Sequence, residues 1–445
     1  MPETTTPKRY WIWTVGCQMN KVDSDRVAET MQARGYLPAS SEEDADIVVL
    51  NSCAVRESAE RRVSGKLGNL AELKRERPEM VLALTGCSVS PDFDATRKRF
   101  KGADIYFQPT RLDQFTDQLD QVWPVPTEPG ILACWQEQSG VTQSTGPSAF
   151  VPISNGCDKF CTYCIVPYRR GREKSRPVYE IVDECGSLVK RGVKEITLLG
   201  QRVNAYGRDF KDGTDLADLL ALVHDIPGLV RLRFLTSYPK DMSDKLIDTI
   251  AMLDKVCEHI HLPVQSGSNQ VLENMRRGYT REEYLELIGR IRRAAPAIAI
   301  STDIIVGFPG ETEEQFQETL ALMEEVRFST VYQAAYSPRP GTLAYRWDDD
   351  VSRDVKKDRF KRLDLVQNRI SLEQHQALKD ATVEILVESE QNERKDAAQW
   401  RGRTRQNRLV FLPRAEENLL GQTIQVRVEK VSPWAMQGTL EGALV

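Results

Sequence analysis

The chain has 445 residues, with 60 lysines and arginines against 65 aspartates and glutamates, and a formal net charge of −5. At about 100–200 residues per domain, this length predicts two to four domains. Hydrophobic residues make up 40% and charged residues 28%, which is ordinary for a globular protein. The acidic balance excludes a globally basic nucleic-acid binder, so a nucleic-acid partner requires a local basic patch.

The first residues, MPETTTPKRY, lack the apolar core of a secretory signal. No apolar run approaches the roughly 18 residues that a membrane span needs. We therefore expect a cytoplasmic protein without a membrane partner. In that compartment cysteines are reduced, so clustered cysteines are expected to bind metal or to take part in catalysis rather than to form disulfides.

The first part of the chain alternates strand and helix patterns. Its strand patterns cover 10–16, 46–51 and 80–86. Helical patterns fill the intervals between them, and this order predicts a parallel sheet with crossover helices. A segment rich in Pro, Gly, Ser and Thr near 122–148 predicts a boundary, and we place the first domain at 7–125.

The alternation resumes after this boundary with a larger number of strands. Their patterns cover 150–154, 195–200, 229–236, 259–264, 298–307 and 329–336. Six βα units fall short of the eight in a closed α/β barrel of roughly 250 residues. The pattern therefore predicts an open (β/α)6 partial barrel, which we place at 145–375.

The last part of the chain changes pattern again. A charged helical stretch over 352–380 is followed by short strands with no room for crossover helices. This predicts a small β-barrel over 378–445. The predicted fold class is thus α/β, with an N-terminal parallel βαβ domain, an open partial barrel and a small C-terminal β-barrel.

Three cysteines directly follow the first strand of the predicted partial barrel, in a C-x₃-C-x₂-C spacing: Cys157, Cys161 and Cys164. Three thiolates on one short loop suit a 4Fe-4S cluster in which one iron lacks a protein ligand. A substrate or cofactor can then chelate that iron. The alternative, a structural zinc site, needs a fourth Cys or His, and the following IVPYRRGRE offers none.

Three further cysteines, Cys17, Cys53 and Cys87, each follow the end of one of the first three predicted strands. The carboxyl ends of parallel strands lie along one edge, where open α/β sheets bind ligands. This predicts a second 4Fe-4S cluster with one open iron. The alternative is that these cysteines are small buried hydrophobes. No role is assigned to the remaining cysteines, Cys134, Cys185 and Cys257.

These motifs resemble those of the radical S-adenosylmethionine methylthiotransferase family, over nearly the whole chain. The matching blocks are GCQMN, NSCAVRESAE, TGC, NGCDKFCTYCIVPYRRGRE, LLGQRVNAYG, HLPVQSGSN, DIIVGFPGE and YSPRPGT. The resemblance implies a methylthiotransferase domain, a radical S-adenosylmethionine barrel and a TRAM-like barrel, in that order. It also implies two 4Fe-4S clusters and S-adenosylmethionine as cofactors, with two molecules of S-adenosylmethionine used per product.

Within the family, GCQMN and CTYCIVPYRRGRE are most similar to the branch that methylthiolates C2 of N6-isopentenyladenosine beside the tRNA anticodon. That branch often has Thr where this chain has Arg169. The C2–H bond of adenine has no acidity for a side chain to exploit, so its removal needs a radical that a cofactor supplies. The resemblance further implies a tRNA substrate, a flavodoxin- or ferredoxin-type electron donor and a sulfur source, and we expect a monomer.

Alternative functions remain open at this point. Within the family, the two alternative substrates are threonylcarbamoyladenosine in tRNA and an aspartate of a ribosomal protein. Outside the family, one alternative is an RNA-binding or iron-storage protein whose clusters are purely structural. Another is a zinc-stabilised binding module.

Contacts with S-adenosylmethionine are expected at the carboxyl ends of the barrel strands. The candidate side chains and backbone positions there are Gln201, Asn204, Gln265, Asp303 and Gly307. Tyr163 lies inside the cysteine loop, where the family places an aromatic residue beside the adenine. The alternatives are a turn needed only for geometry at VGFPG and plain packing for Tyr163.

A basic stretch in the predicted C-terminal barrel is the candidate tRNA patch. It has no acidic residue along the sequence and contains Arg401, Arg403, Arg405, Arg408 and Arg414. The first three alternate and would share one face of a strand, and Trp400 and Phe411 would stack on unpaired bases. The alternative is an edge strand kept basic against aggregation. A second basic run is predicted to bind phosphates near the target nucleotide: Arg169, Arg170, Arg172, Lys174 and Arg176.

Overall fold

The computed structural model describes residues 7–54, 57–123, 146–391, 399–414 and 417–441. Cys134 and most of the Pro/Gly-rich segment near 122–148 lie outside the described residues. The described chain forms two compact units. The first comprises the residues up to 123 together with 156–159 and 164–172, and the second comprises 146–155, 160–163 and 173–441.

The first unit contains a sheet of five parallel strands in the order β2-β1-β3-β4-β5. The strands are β1 Arg9–Val15, β2 Leu37–Pro38, β3 Ile47–Ser52, β4 Val81–Gly86 and β5 Ile105–Tyr106. The helices of this unit are α1 Gln18–Ala33, α2 Glu57–Glu76, α3 Phe93–Arg99, α4 Leu112–Val122 and α5 Val166–Arg170. Every residue of β3 and β4 is buried, because apolar cores lie on both faces of the sheet.

Helix α1 begins at Gln18, three residues after the end of β1. The chain turns into the helix directly at Cys17, and the Cys17 N–H donates to the Asn20 side-chain oxygen at 3.2 Å. Because this side chain satisfies an N–H group at the helix start, the helix begins as soon as β1 ends. Cys17 is thereby placed at the carboxyl edge of the sheet.

The second unit begins with six parallel strands that follow one another in chain order, in the sheets β10-β9-β6 and β11-β12-β13. They are β6 Ser148–Pro152, β9 Glu195–Leu199, β10 Arg231–Leu235, β11 His259–His261, β12 Ala299–Val306 and β13 Thr330–Ala335. A short antiparallel pair is formed by β7 Ser154–Asn155 and β8 Lys174–Ser175. The N–H of Ser237 donates to the His261 carbonyl at 3.0 Å and so links the two sheets.

Helices alternate with these strands. They are α6 Val178–Lys190, α7 Leu216–His224, α8 Asp244–Met252, α9 Asn269–Asn274, α10 Arg281–Ala294, α11 Glu313–Val326 and α12 Arg353–Gln376. Short 3-10 helices span Val203–Ala205, Pro239–Asp241 and Ala344–Arg346. The fourth strand ends at His261 rather than at residue 264, because Pro263 has no N–H to donate and restricts the residue before it. The predicted order of six βα units is confirmed.

The C-terminal strands form a closed five-stranded barrel in the order β14-β15-β16-β18-β17. The strands are β14 Thr382–Gln391, β15 Gln399–Arg403, β16 Leu409–Pro413, β17 Thr423–Val431 and β18 Met436–Leu440. The α/β fold class with a small C-terminal β-barrel is therefore confirmed. Among the helices that the structure describes, none combines the length and apolar character of a membrane span.

Candidate cluster and cofactor sites

Three cysteines of the first unit follow neighbouring strands of the parallel sheet. The strand register pairs Val15 with Ser52 and Ser52 with Gly86. Cys53 and Cys87 come directly after two of these positions, and Cys17 follows Val15 after one glycine. All three thiols therefore lie at the carboxyl edge of one sheet, as the strand assignment predicts.

Two of these thiols are in direct contact. Cys53 donates a hydrogen bond to the Cys17 sulfur, and this bond is the main reason that the pKa of Cys17 is lowered to about 6. Burial raises the pKa of the Cys87 thiol, and the charge of Cys17 acts in the same direction. Cys17 is exposed, whereas Cys53 and Cys87 are buried. The structure thus brings the three cysteines within electrostatic reach of one another.

A buried polar network holds Cys17 in place. The Cys17 sulfur lies 3.3 Å from the side-chain oxygen of Asn20, and the Asn20 amide donates to Asn51 at 2.8 Å. Gly16 is required at the turn, because a methyl group there would lie 2.9 Å from the Cβ of Cys53 and closer still to Asn20. No metal-ligand spacing marks Asn20 or Asn51 in the sequence. Asn20 does lie in the GCQMN block, however, and Asn51 lies in the NSC block.

Arg170 reaches the same group of cysteines. Its Nε donates to the Cys87 sulfur at 3.0 Å, and its Nη2 donates to the Asp23 carboxylate at 2.6 Å. The side chains of Arg170 and Asp23 are only 3% and 5% exposed. The prediction that Arg170 binds a phosphate is therefore wrong, because its guanidinium is buried and already engaged.

The loop around Cys157 belongs to the first unit. The Lys159 N–H donates to the Cys157 sulfur at 3.4 Å, and the Cys157 N–H donates to the Gly171 carbonyl at 3.1 Å. Gly156 has a positive φ of 80°, and a methyl group there would lie 2.1 Å from the Arg172 carbonyl oxygen. Glycine is therefore needed for the loop to pass this close to the returning chain.

Cys164 is half-buried in the first unit, and the residue after it packs against the sheet edge. Ile165, Ala54 and Cys87 form one small buried apolar group. The segment that carries Cys164 is thereby attached next to the thiol of Cys87.

Cys161 lies in the second unit and is buried beside Arg277. The Arg277 Nη1 donates to the Cys161 sulfur at 3.4 Å, while its Nη2 donates to the Pro263 carbonyl at 2.9 Å. The ring of Tyr238 lies 4.9 Å from the guanidinium carbon of Arg277, and the Tyr279 hydroxyl accepts from its Nε at 2.9 Å. Arg277 was not predicted from the sequence, because neither arginine of MRRGYT lies in a metal-ligand spacing.

The chemistry of these residues fits iron–sulfur clusters. The sulfurs of Cys87, Cys157 and Cys161 each receive an N–H donor, as expected for cluster ligands whose negative charge is stabilised by hydrogen bonds. Within the described part of the chain, no three His, Cys, Asp or Glu side chains form a group that could hold a metal ion. The ligand role of the six cysteines therefore stays a prediction.

Gln265 and Asp303 lie at neighbouring strand ends of the second unit. Gln265 is buried and has a positive φ of 77°, a conformation that is strained for a residue with a side chain. Its N–H donates to the Asp303 carbonyl at 2.9 Å, and its own carbonyl accepts from Ile305 at 3.0 Å. The Asp303 carboxylate lies 3.3 Å from His261 Nε2 and is 38% exposed. Such strain concentrates at ligand-binding positions, which supports the predicted role of this edge.

The VGFPG turn is held by a buried ion pair. The Glu311 carboxylate accepts from the Gly307 N–H at 2.6 Å and from Arg359 Nη1 at 2.8 Å. Gly307 has a positive φ of 69°, and a methyl group there would lie 2.3 Å from the Lys356 side chain. The turn is thus rigid, with the Gly307 amide committed to Glu311.

Replacing Glu311 by alanine is expected to lower the free energy of unfolding by about 3–5 kcal/mol, because it leaves the buried Arg359 charge without its carboxylate. The two side chains are 1% and 4% exposed. Urea unfolding followed by circular dichroism measures the change. The control is Glu314→Gln, since Glu314 is exposed in the first turn of α11, the helix that begins just after Glu311. Equal stability of the two variants would contradict the assignment.

The remaining candidate cofactor contacts have different surroundings. Tyr163 packs edge-on against Phe308 at 6.4 Å between ring centroids. The Asn204 side chain makes two hydrogen bonds of 2.9 Å to the backbone of Tyr238, so the structure gives it a bracing role. The side-chain oxygen of Gln201 is buried and has no hydrogen-bond partner among the described residues. The contacts of Tyr163, Gln201 and Asn204 with S-adenosylmethionine stay predictions.

The basic stretch of the C-terminal barrel acquires acidic neighbours from other strands. Arg401 and Arg403 share one face of β15, as predicted, and both lie within 4.0 Å of the Glu388 carboxylate. Trp400 points into the barrel core and is only 5% exposed, so the prediction that it stacks on bases is wrong. Alternation along a strand puts Trp400 on the inner face for the same reason that it puts the arginines outside.

Arg405 and Arg408 hold the C-terminal barrel to the partial barrel. Arg405 donates to the Glu258 carboxylate at 2.9 Å, and Arg408 donates to the Gln374 carbonyl at 3.1 Å. From the partial barrel, the buried Arg233 donates to the carbonyls of Thr404 and Arg405 in the C-terminal barrel at 2.9 and 2.7 Å. These contacts make Arg405 and Arg408 parts of an internal interface. Arg401, Arg403 and Arg414 remain the more accessible members of the candidate tRNA patch, with side chains 39%, 34% and 60% exposed.

Three family models match the chain in succession. Residues 9–108 match the uncharacterized protein family UPF0004, residues 151–323 match the radical SAM superfamily, and residues 377–445 match the TRAM domain. The solved structure of the radical S-adenosylmethionine methyltransferase TsrM from Kitasatospora setae aligns with a TM-score of 0.56 at 16% identity. It covers 76% of this chain and 77% of TsrM, and this likeness shows a shared fold.

Curated relatives align over almost the whole chain. The protein from Moorella thermoacetica is 44% identical over 440 residues, which cover 97% of this chain and 98% of the relative. The protein from Dehalococcoides mccartyi is 45% identical over 432 residues, with the same two shares. Both are named tRNA-2-methylthio-N(6)-dimethylallyladenosine synthase. At this identity and coverage, and with the three domains in this order, the chain belongs to the tRNA-2-methylthio-N(6)-dimethylallyladenosine synthase family of radical S-adenosylmethionine proteins.

Proposed function

We propose that this protein transfers a methylthio group to C2 of N6-isopentenyladenosine (dimethylallyladenosine) in tRNA, using two molecules of S-adenosylmethionine. The observation that carries this function is the match to the named synthases over 97% of the chain. The C-x₃-C-x₂-C loop at the start of the radical SAM match supports the reaction type. The function is that of a transferase of sulfur-containing groups.

The radical SAM match implies S-adenosylmethionine and one 4Fe-4S cluster. We assign this cluster to Cys157, Cys161 and Cys164, and a second 4Fe-4S cluster to Cys17, Cys53 and Cys87. When bound, these groups supply the single electron, the radical that acts on C2 and the place where sulfur is held. The convergence of Cys17 and Cys53 supports the second cluster.

The chain's own residues bind and orient these groups. Arg277 and Lys159 donate N–H groups to the sulfurs of Cys161 and Cys157 and so stabilise thiolate ligands. The strained Gln265 and the Glu311-braced turn at Gly307 present rigid backbone at the strand ends, where ligands of parallel barrels bind. Asp303 offers the partly exposed carboxylate of that edge for a hydroxyl or amino group of S-adenosylmethionine.

The other partners follow from the reaction. We propose a cytoplasmic monomer that receives electrons from a flavodoxin- or ferredoxin-type donor and sulfur from a separate source. The tRNA substrate is bound in part by Arg401 and Arg403 of the C-terminal barrel, whose side chains are 39% and 34% exposed. Phosphate contacts of this kind position an RNA without reading its sequence.

Nucleoside analysis of tRNA tests the function. We expect 2-methylthio-N6-isopentenyladenosine to disappear from a strain that lacks this gene and to return on complementation. As a direct assay, the anaerobically reconstituted protein should modify tRNA that carries N6-isopentenyladenosine and leave tRNA with threonylcarbamoyladenosine unchanged. Modification of the second tRNA alone, or of a ribosomal-protein aspartate, would replace the proposed substrate.

Replacing Arg401 and Arg403 together by glutamine is expected to weaken tRNA binding by roughly tenfold, about 1.4 kcal/mol. The slope of log K against log salt should fall by about 1 for each phosphate that the variant no longer binds. Filter binding at several salt concentrations measures both quantities. Arg427→Gln is the control, because Arg427 is exposed on another strand of the same barrel. An unchanged salt slope in the double variant would exclude the two arginines as phosphate ligands.

A further inference from the structure

Arg170 is a buried cation next to a predicted cluster ligand. Its guanidinium lies between two acceptors, the Asp23 carboxylate at 2.6 Å and the Cys87 sulfur at 3.0 Å. Both charged side chains are almost fully buried, at 3% and 5% exposure. The desolvation cost of burying such a pair is often as large as the attraction between its charges. The pair alone is therefore weak evidence for a purely stabilising role.

The sulfur acceptor distinguishes this group from an ordinary ion pair. It belongs to a thiol at the sheet edge that carries Cys17 and Cys53. A neutral thiol gains little from a buried cation, whereas a thiolate or a cluster-bound sulfur carries negative charge and gains a charge-assisted hydrogen bond.

The position of Arg170 in the chain adds a second observation. It ends α5, the short helix that directly follows the loop with Cys164. Ile165, at the start of the same segment, packs against Cys87 and Ala54. One segment of the first unit therefore carries a predicted ligand of the first cluster and the hydrogen-bond donor to a predicted ligand of the second.

We propose that Arg170, held in place by Asp23, is a positioning residue for the second cluster: it donates a hydrogen bond to the Cys87 sulfur ligand and sets the reduction potential of that cluster. This proposal rests on the second cluster of the proposed function. Hydrogen bonds and positive charge at the sulfur ligands stabilise the reduced, more negative form and raise the potential. Removing the positive charge of Arg170 should therefore lower the reduction potential, whereas removing the negative charge of Asp23 should raise it.

The test uses the full chain with Cys157, Cys161 and Cys164 all replaced by alanine, so that only the second cluster is assembled. Iron and sulfide content of this parent should be about four of each. An EPR-monitored titration with dithionite then gives the potential of the parent and of its Arg170→Gln, Arg170→Lys and Asp23→Asn derivatives. Arg97→Gln is the control, because it removes an exposed positive charge from α3 of the same unit.

We expect Arg170→Gln to lower the one-electron equilibrium constant for reduction by at least tenfold, a shift of about 59 mV. Arg170→Lys should fall between parent and glutamine variant, because lysine keeps the charge but not the planar fork. Asp23→Asn should shift the potential upward, and Arg97→Gln should not shift it. A role confined to packing would not produce shifts of opposite sign at the two partners.

Potentials of the Arg170→Lys and Asp23→Asn derivatives that equal the parent's would overturn the proposal, even if Arg170→Gln fails to fold or loses its iron. A parent without iron would instead refute the second cluster of the proposed function. The two failures are therefore distinguishable by the iron content of the parent.

Discussion

Replacing Cys161 by alanine is expected to abolish both cleavage of S-adenosylmethionine and methylthiolation. The change removes one of three thiolates on the C-x₃-C-x₂-C loop, and two thiolates are too few to hold a 4Fe-4S cluster with one open iron. Iron content should fall from about eight to about four atoms per chain after anaerobic reconstitution. The readouts are iron and sulfide analysis and the yield of 5′-deoxyadenosine.

Cys185→Ala is the control for this variant. Cys185 is fully buried in α6, and burial raises its pKa to about 12, so it is a poor metal ligand. This control should retain all of the iron and produce 5′-deoxyadenosine at the rate of the unaltered protein. Iron loss from the control, or full activity of Cys161→Ala, would contradict the ligand assignment.

Replacing Cys53 by alanine is expected to separate the two halves of the reaction. Cys53 is the buried partner of Cys17 at the sheet edge, and its loss removes the second cluster while the C-x₃-C-x₂-C loop stays intact. Cleavage of S-adenosylmethionine should remain within about tenfold of the unaltered rate, a change of at most about 1.4 kcal/mol in the barrier. Methylthiolated tRNA should fall below detection, because no site remains to hold the sulfur.

Mass spectrometry of the tRNA nucleosides and of 5′-deoxyadenosine from the same reaction measures both outcomes. Cys161→Ala serves as the comparison, since it should lose both products and not just one. Formation of 2-methylthio-N6-isopentenyladenosine by Cys53→Ala at the normal rate would show that Cys17, Cys53 and Cys87 have no part in the transfer.

The placement of the first three cysteines followed from local patterns. Strands β3 and β4 are continuous apolar runs, and crossover helices between such runs force a parallel sheet. Once the strands are parallel and in register, the residues after Val15, Ser52 and Gly86 must lie at one edge. The approach of Cys17 to Cys53 was therefore predictable without any knowledge of side-chain packing.

Other expectations failed because their outcome depended on residues distant in the sequence. Arg170 was interpreted as a phosphate ligand from its basic neighbours, but Asp23 and Cys87 occupy its guanidinium. In the same way, Glu258 and Gln374 engage Arg405 and Arg408. A basic segment that contains no acidic residue can still contact acidic side chains that folding brings from other parts of the chain.

The amino-acid sequence by itself determined the alternation of strands and helices, the position of the cysteines after strand ends and the family to which the chain belongs. Hydrophobic period and cysteine spacing are local properties, so they can be read without coordinates. Only the tertiary structure decided which arginines are buried donors to sulfur, as at Arg170 and Arg277, and which remain accessible on the C-terminal barrel. The physical reason is that the state of a charged side chain depends on the acceptors that folding brings to it, and these come from elements far away along the chain.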